Sequence, residues 1–469
     1  MISQILIVAQ TITAVTAASW MLGGNIYWAP PWIIFLTFLA LLPLGWRIFE
    51  APGETLRRLA PAIPWFLLSA VLLGSLLNPS FIMEVQDGEI IYRETAYIAW
   101  LPTVVTAEVA RENVLLLIGF LLQATAVYVV LHRRRAIRLL LVLLLVNATA
   151  LATTGAYFDL RGATEILGHF TPPVRQYFFS SFIYHNHWSA FAVLALGTGM
   201  GLFFSALRQR DRLDRRGSPA LFYALCVALL AISLPMSTSR SGVILLFLLL
   251  LGFGFQLGRY LRQQKRKNSL PWRRVLPLYA GGFALFLGIF VALNHYYLER
   301  GWYKTETQIR QAEEAGAWQD FRLMAGADTF RMGLDRPAWG WGRGSFPYVF
   351  PLYQRAEIST TGDGQALFFE HAHNDWAEWF AELGLIGMIL LLIPVLLRMR
   401  AFLRGSRQSI LASWILSGMG LILIYALVEF PFGNPAVTLF FFVLGAAAFR
   451  YSELREPGRK AGKPSETPG

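Results

Sequence analysis

Met236-Ser237-Thr238-Ser239-Arg240-Ser241-Gly242 puts one arginine and four hydroxyls between two apolar runs, Pro219 to Pro235 and Val243 to Leu257. A guanidinium beside hydrocarbon is costly unless paired or wetted, so Arg240 is either a snorkelling residue at a helix end or part of a site. Two more polar clusters stand at equivalent places. Tyr184-His185-Asn186-His187-Trp188 and His371-Ala372-His373-Asn374-Asp375 each open an apolar segment. Helix N-termini carry unpaired N–H groups and partial positive charge, which attract anions. An arginine there suits a phosphate or diphosphate through bidentate bonds. A histidine at the same end is held toward its neutral form, able to accept a proton. Asp375 pulls His373 the other way, and a capping role near the helix start is the simpler alternative.

The elements that must position these groups are membrane spans. The 469 residues are 55% hydrophobic and only 15% charged, with a mean hydropathy of +0.47. That composition belongs to a membrane protein. Apolar segments at 3–23, 30–49, 61–78, 113–131, 137–154, 186–206, 219–235, 242–258, 275–294, 379–397, 410–429 and 435–449 predict about twelve helices in an all-α integral membrane protein. The net charge of +12 does not indicate nucleic acid, because about two thirds of the lysines and arginines fall in every second loop, as topology determinants do. The positive-inside rule puts those loops and both termini in the cytoplasm. The three polar clusters then all open helices at the outer face.

The first span reads as an uncleaved helix, with no charge before it and no small-residue cleavage site after it. The lone Cys226 lies in an apolar run and reads as a core residue. The predicted organisation is helices one to nine over 1–294, a large outer loop over 295–376, helices ten to twelve over 377–450, and a polar, disordered tail over 451–469. A loop that long is usually a functional cap. Residues 155–185, with Phe170, Tyr177, Phe178 and Phe179 beside Arg175, suggest an interfacial amphipathic segment.

Several signals are weaker. His371/His373 and His185/His187 repeat an i, i+2 spacing, but with no HExxH and no cysteine partner a metal site has little support. Asp375, Glu378 and Glu382 could form a carboxylate face, or simply complement the helix N-terminus. Arg322 taken alone is a solvated surface arginine on an amphipathic stretch. The glycines from Trp339 to Phe346 read as tight turns and not as a dinucleotide fingerprint.

Taken together, Ser237 to Gly242, the Asp335-Arg336-Pro337 to Phe346 turn, Tyr184 to Ala190 and above all His371 to Gly387 (HAHNDWAEWFAELGLIG) resemble the bacterial O-antigen ligase/polymerase superfamily. These are membrane glycosyltransferases that use polyprenyl-diphosphate-linked glycans. The resembling motifs span about 180 to 400. The resemblance implies metal-independent, cofactor-free transfer at the periplasmic face of the inner membrane. Arg240 and Arg322 match its diphosphate-binding arginines, and His373 its general base. His371, Asn374, Asp375, Ser239, Asn186 and His187 fall in supporting positions, and either His371 or His373 could be the base. The implied donor is an undecaprenyl-diphosphate-linked glycan and the implied acceptor lipid A–core, which makes the chain an O-antigen ligase. A polymerase that extends the glycan or a protein O-oligosaccharyltransferase would share the same donor and residues. A transporter of a lipid-linked anion fits less well, since it calls for polar residues at mid-membrane depth and matching broken helices.

Overall fold

The computed structural model describes residues 1–86, 89–172, 177–213, 217–266, 281, 288, 290–292, 294–297, 299, 302–303, 306, 310, 321–360, 367–405 and 409–454. Arg175, most of the expected span at 275–294, residues 311–320 of the large loop and the tail from 455 lie outside them.

The helices are α1 (Ile2–Trp20), α2 (Ala29–Phe38), α3 (Leu41–Glu50), α4 (Pro52–Leu59), α5 (Ile63–Ser75), α6 (Ala107–Val130), α7 (Arg134–Leu160), α8 (His185–Leu213), α9 (Ala220–Met236), α10 (Arg240–Arg266), α11 (Phe321–Asp335), α12 (Phe346–Val349), α13 (Asp375–Arg404), α14 (Ile410–Tyr425) and α15 (Pro435–Glu453). Among the described residues nine helical segments are long and apolar enough to cross a membrane, α2–α3 and α4–α5 each counting as one. The shorter apolar helices α9 and α14 bring the match to every expected span except 275–294.

α8 is the central element, with 94% of its apolar stretch buried. Its small residues let α14 approach backbone to backbone: a Cβ on Gly197 would lie 2.8 Å from the Trp414 carbonyl, and one on Gly201 2.9 Å from that of Leu411. Small residues of this kind are how helices pack where lipid supplies no hydrophobic drive. The contact fixes the outgoing end of α14 relative to the start of α8, and both matter below.

The basic loops meet at one end of the bundle. Arg138 reaches Tyr451 and Gln209, Arg450 donates to the Leu131 carbonyl, and Gln4 accepts from the Arg133 amide. Met1 and Glu453 lie at this end. The three polar clusters lie at the other end, where α1 runs into Gly23 and Gly24 against Asn434 and Pro435.

Phe81–Gln86 (β1) and Glu89–Glu94 (β2) form an antiparallel hairpin in the loop between α5 and α6. Between α7 and α8 the described residues form no helix, and the interfacial reading is corrected for Phe179, which is buried against Trp188.

A second correction bears on function. α13 is broken at Gly384 (φ 62°, ψ −176°). The carbonyls freed by the break accept from Trp341 and Gly342 N–H, and the Leu385 and Ile386 N–H groups donate to Pro337 and Ala338. The Arg336 to Phe346 turn is thus wedged into the break, with Gly340, Gly342 and Gly344 at positive φ. Irregular backbone at membrane depth is tolerated where protein satisfies it, as here. Gly384 occupies a region of φ/ψ essentially reserved for glycine, worth about 1–3 kcal/mol of strain for other residues. An added Cβ would also collide with the Ala338 carbonyl. Gly384→Ala should therefore lower the thermal unfolding midpoint in detergent by several degrees; an unchanged midpoint would show that the wedge does not hold α13.

Candidate functional site

Each of the three polar clusters starts a helix where the sequence placed it. Asn374 caps α13, accepting from the Ala377 N–H at 3.0 Å. His185 opens α8 with its Nδ1 2.7 Å from the Ser237 carbonyl and 3.2 Å from the Thr238 hydroxyl. Ser239 Oγ, one residue before α10, donates to Asn186 Oδ1 at 2.6 Å. These contacts join the start of α8 to the α9–α10 turn. Thr238 and His373 both take left-handed backbone, with φ of 58° and 53°. Bulky residues held there signal local strain, which clusters at functional sites.

The residue that unites the clusters is Glu429, only 1% exposed in the loop after α14. Its carboxylate lies 2.7 Å from Arg322 Nη1 and 3.6 Å from His373 Nδ1. Asn186 Nδ2 donates to it at 2.8 Å, and the Tyr184 hydroxyl stands 3.4 Å from both oxygens. Its neighbour Phe430 is the aromatic hub. The ring stacks on Tyr184 and His371 and meets His187 and His373 edge-on, all with centroids 4.7–5.3 Å apart. Burial and the adjacent Glu429 charge both push the Tyr184 phenol well above its ordinary range. It therefore stays a neutral donor.

Arg322 opens the first turn of α11 and, with His373, sits at the polar end of a cavity of about 830 Å³, open mouth included. Asn374, Phe330, Trp376 and Phe380 contribute to its walls. The volume and mix of lining are those of a small-molecule site. Arg322, seen from sequence as a surface arginine, is only 30% exposed. Arg240 is exposed in the first turn of α10, next to Ser239, which donates to Asn186.

The acidic residues of α13 are not a solvated complement to a helix N-terminus. Asp375, Glu378 and Glu382 are buried, each 2–3% exposed. Asp375 accepts from the Phe432 N–H at 2.9 Å. Glu378 binds His371 Nδ1 at 3.0 Å and the Ala372 N–H at 2.9 Å, so it shapes the loop that bears His373. Glu382 takes Arg343 Nη1 at 2.5 Å with the Gly344 and Phe346 N–H groups. Among the described residues, no group of three or more His, Cys, Asp or Glu side chains could hold a metal ion.

Sequence reasoning passed over Glu429 and Phe430. The signal was present: a lone carboxylate at the end of the apolar run 410–429 is as conspicuous as Arg240. It was absorbed into the span, whereas the helix ends at Tyr425.

Residues 224–392 match the family model described as O-antigen ligase. Over this region, just over a third of its length, the chain is similar to the O-antigen ligase family. That region takes in α10, the wedged turn, His373 and Gly384, and stops short of Glu429. No curated protein matches the chain. The similarity supports a membrane enzyme that transfers glycans.

Two predictions follow from the geometry. Replacing Glu429 by Ala takes the carboxylate from the half-buried Arg322 guanidinium and from buried Asn186, a loss of about 1–3 kcal/mol. Glu429→Ala should unfold well below the parent in detergent, with Glu429→Gln intermediate. An unaltered midpoint in both would remove Glu429 from its central place. Burial opposes charge on His371, but Glu378, with Glu370 and Asp375, outweighs it and pushes its pKa up to about 9 from 6.5. A raised pKa in the fold stabilises fully below about pH 6.5, and that contribution is lost as pH rises through about 9. The gap in unfolding midpoint between the parent and His371→Gln should therefore be widest near pH 6 and close by pH 10.

Proposed function

We propose that the protein is an O-antigen ligase, transferring a glycan from undecaprenyl diphosphate to a hydroxyl of lipid A–core at the periplasmic face of the inner membrane. The observation that carries the reading is Glu429, a buried carboxylate that brings Arg322 and His373 together at the mouth of one cavity. All three lie at the bundle end opposite the basic loops, which is the periplasmic end under the positive-inside rule.

In this reading Arg322 and Arg240 bind the donor's diphosphate, and the large outer loop, with α11 and the wedged turn, covers it. His373 is the base. Glu429 faces its Nδ1, an arrangement that favours a proton there and leaves the second ring nitrogen to accept one. His371 is committed to Glu378 and to the face of Phe430, which favours His373 over it. The acceptor oxygen attacks the anomeric carbon as its proton passes to His373. The bond from that carbon to the diphosphate oxygen breaks, and undecaprenyl diphosphate leaves with the electron pair. The diphosphate is a good leaving group, so the protein's task is to hold its charge and align the acceptor. The Arg322 fork and the exposed Arg240 supply charge where it accumulates. No metal or cofactor has a part in this sequence of steps.

Deleting the gene from its host and separating surface lipopolysaccharide from lipid-linked glycan tests the assignment. A ligase leaves bare cores and accumulates long lipid-linked chains. Cores capped by one repeat would make the protein a polymerase, and an unchanged profile would point to a protein acceptor or a transporter. Restoring the gene as His373→Ala should give less than about 1% of parental transfer, the scale of a lost general base. Arg240→Lys should be severely impaired as well, since an ammonium lacks the bidentate fork. Near-normal transfer by His373→Ala would overturn the choice of base.

A further inference from the structure

The end of the bundle that bears the termini carries a second feature, remote from the site above. Between α4–α5, α6, α13 and α15 lies a narrow slot of about 550 Å³, open mouth included. Trp65, Pro394, Met419, Phe442 and Gly445 line its apolar length, and Arg58, Arg398 and Tyr128 its charged end. The Arg398 guanidinium lies 3.4 Å above the Tyr128 ring, and that of Arg450 lies 5.7 Å from the same ring.

Charge at this mouth is out of balance. Glu54 serves both Arg47 and Arg58. Glu453 serves Arg398 at 3.6 Å and Arg450 at 3.1 Å, and also accepts from the Tyr128 hydroxyl at 2.7 Å. Arg58 takes a second, longer bond to the Val129 carbonyl at 3.3 Å. Arg450 is 5% exposed. Its Nε donates to the Leu131 carbonyl at 2.8 Å. Its Nη2 is buried without a hydrogen-bond partner among the described residues. Arg47 has a second carboxylate in Glu50 at 3.6 Å, so the shortfall lies at Glu453, which answers both Arg398 and Arg450; clustered cations beside hydrocarbon are stable only when matched by anions.

We propose that this slot binds one anionic glycerophospholipid of the leaflet at the terminus-bearing end. Its phosphate sits at the Arg58 and Arg398 end of the slot, and one acyl chain lies along Trp65, Pro394 and Phe442. A free anion would satisfy the guanidiniums but would leave the adjoining apolar slot empty. A zwitterionic lipid would fill the slot while adding an ammonium to an existing excess of positive charge. Only an anionic lipid meets both demands, and basic pockets between helices on the positively charged side of membrane proteins bind such head groups. The site is independent of the transfer chemistry proposed above.

Native mass spectrometry of the full-length chain in detergent tests it. The probes are dioleoyl phosphatidylglycerol and dioleoyl phosphatidylcholine, which share their acyl chains. One phosphatidylglycerol should stay bound at a collision energy that strips phosphatidylcholine. Arg398→Gln should lower its retention about tenfold, the scale of one lost charge-assisted contact. Ala446→Phe fills the slot and leaves every guanidinium in place. It should lower retention to a similar degree, and it serves as the test if Arg398→Gln does not fold. Equal retention of the two lipids, or undiminished phosphatidylglycerol in Ala446→Phe, would overturn the proposal. So would displacement of the bound lipid by millimolar inorganic phosphate, which would assign the arginines to a free anion.

Discussion

A carboxylate cannot be buried beside hydrocarbon unless other groups neutralise it or bond to it, and this constraint organises the outer end of the protein. Among the acids buried there are Asp375, Glu378, Glu382 and Glu429. Each finds its partners in a segment other than its own helix turn. Asp375 holds the Phe432 backbone, Glu378 the His371–Ala372 loop, and Glu382 the Arg343–Phe346 turn. Glu429 ties α11 to the start of α8 through Arg322 and Asn186. Loops that would otherwise wander over a membrane surface are thereby fixed to the bundle. The desolvation cost makes the arrangement specific, because a misplaced loop strands a charge.

The break at Gly384 extends the same logic to the backbone. A continuous helix would offer no free carbonyls to the Arg336 to Phe346 turn, and the turn would have no place to dock. Broken, α13 exchanges backbone hydrogen bonds with the turn in both directions, while Glu382 binds the turn from the side. The turn in turn holds the base of the hairpin loop, where the Val105 N–H meets Ser345 Oγ. The upper part of α13, which bears Asn374 and the His373 loop, is therefore positioned from below by the wedge and from above by Glu378. The left-handed backbone of His373 is the local consequence. A side chain held in a disfavoured conformation by several neighbours has little freedom to leave the mouth of the cavity.

Much of this was legible in the sequence, and the reasons differ by residue. The spans could be read because each needs about 20 apolar residues and most are bounded by charged or turn-forming loops. The three helix starts could be read because capping and turn-forming side chains directly before an apolar run mark the point where a helix begins. Arg322 became a candidate only through the family resemblance, since on an amphipathic stretch it looks like any surface arginine. What joins it to His373 is a carboxylate about 107 residues further along the chain, and no local pattern carries so long a pairing. Glu378 and Glu382 stayed open between a carboxylate face and a complement to the helix N-terminus for a related reason: their burial and their partners come from the loops folded over them. The break at Gly384 was hidden because a glycine within an apolar run is ordinary in a membrane helix. Phe179 looked interfacial because aromatic residues near a helix start serve equally as membrane anchors and as core.

The two ends of the bundle resolve one electrostatic problem in opposite ways. At the end that bears the three polar clusters the buried acids are matched chiefly from within the chain, by arginines, histidines, amides and backbone N–H groups. At the terminus-bearing end the arginines outnumber the carboxylates that answer them, and Glu54 and Glu453 are each shared. A surplus of guanidinium is costly in an apolar slot but cheap against an anionic membrane surface, where the lipid supplies the missing charge. The positive charges that orient the chain during insertion are therefore also the ones left to be neutralised by lipid afterwards.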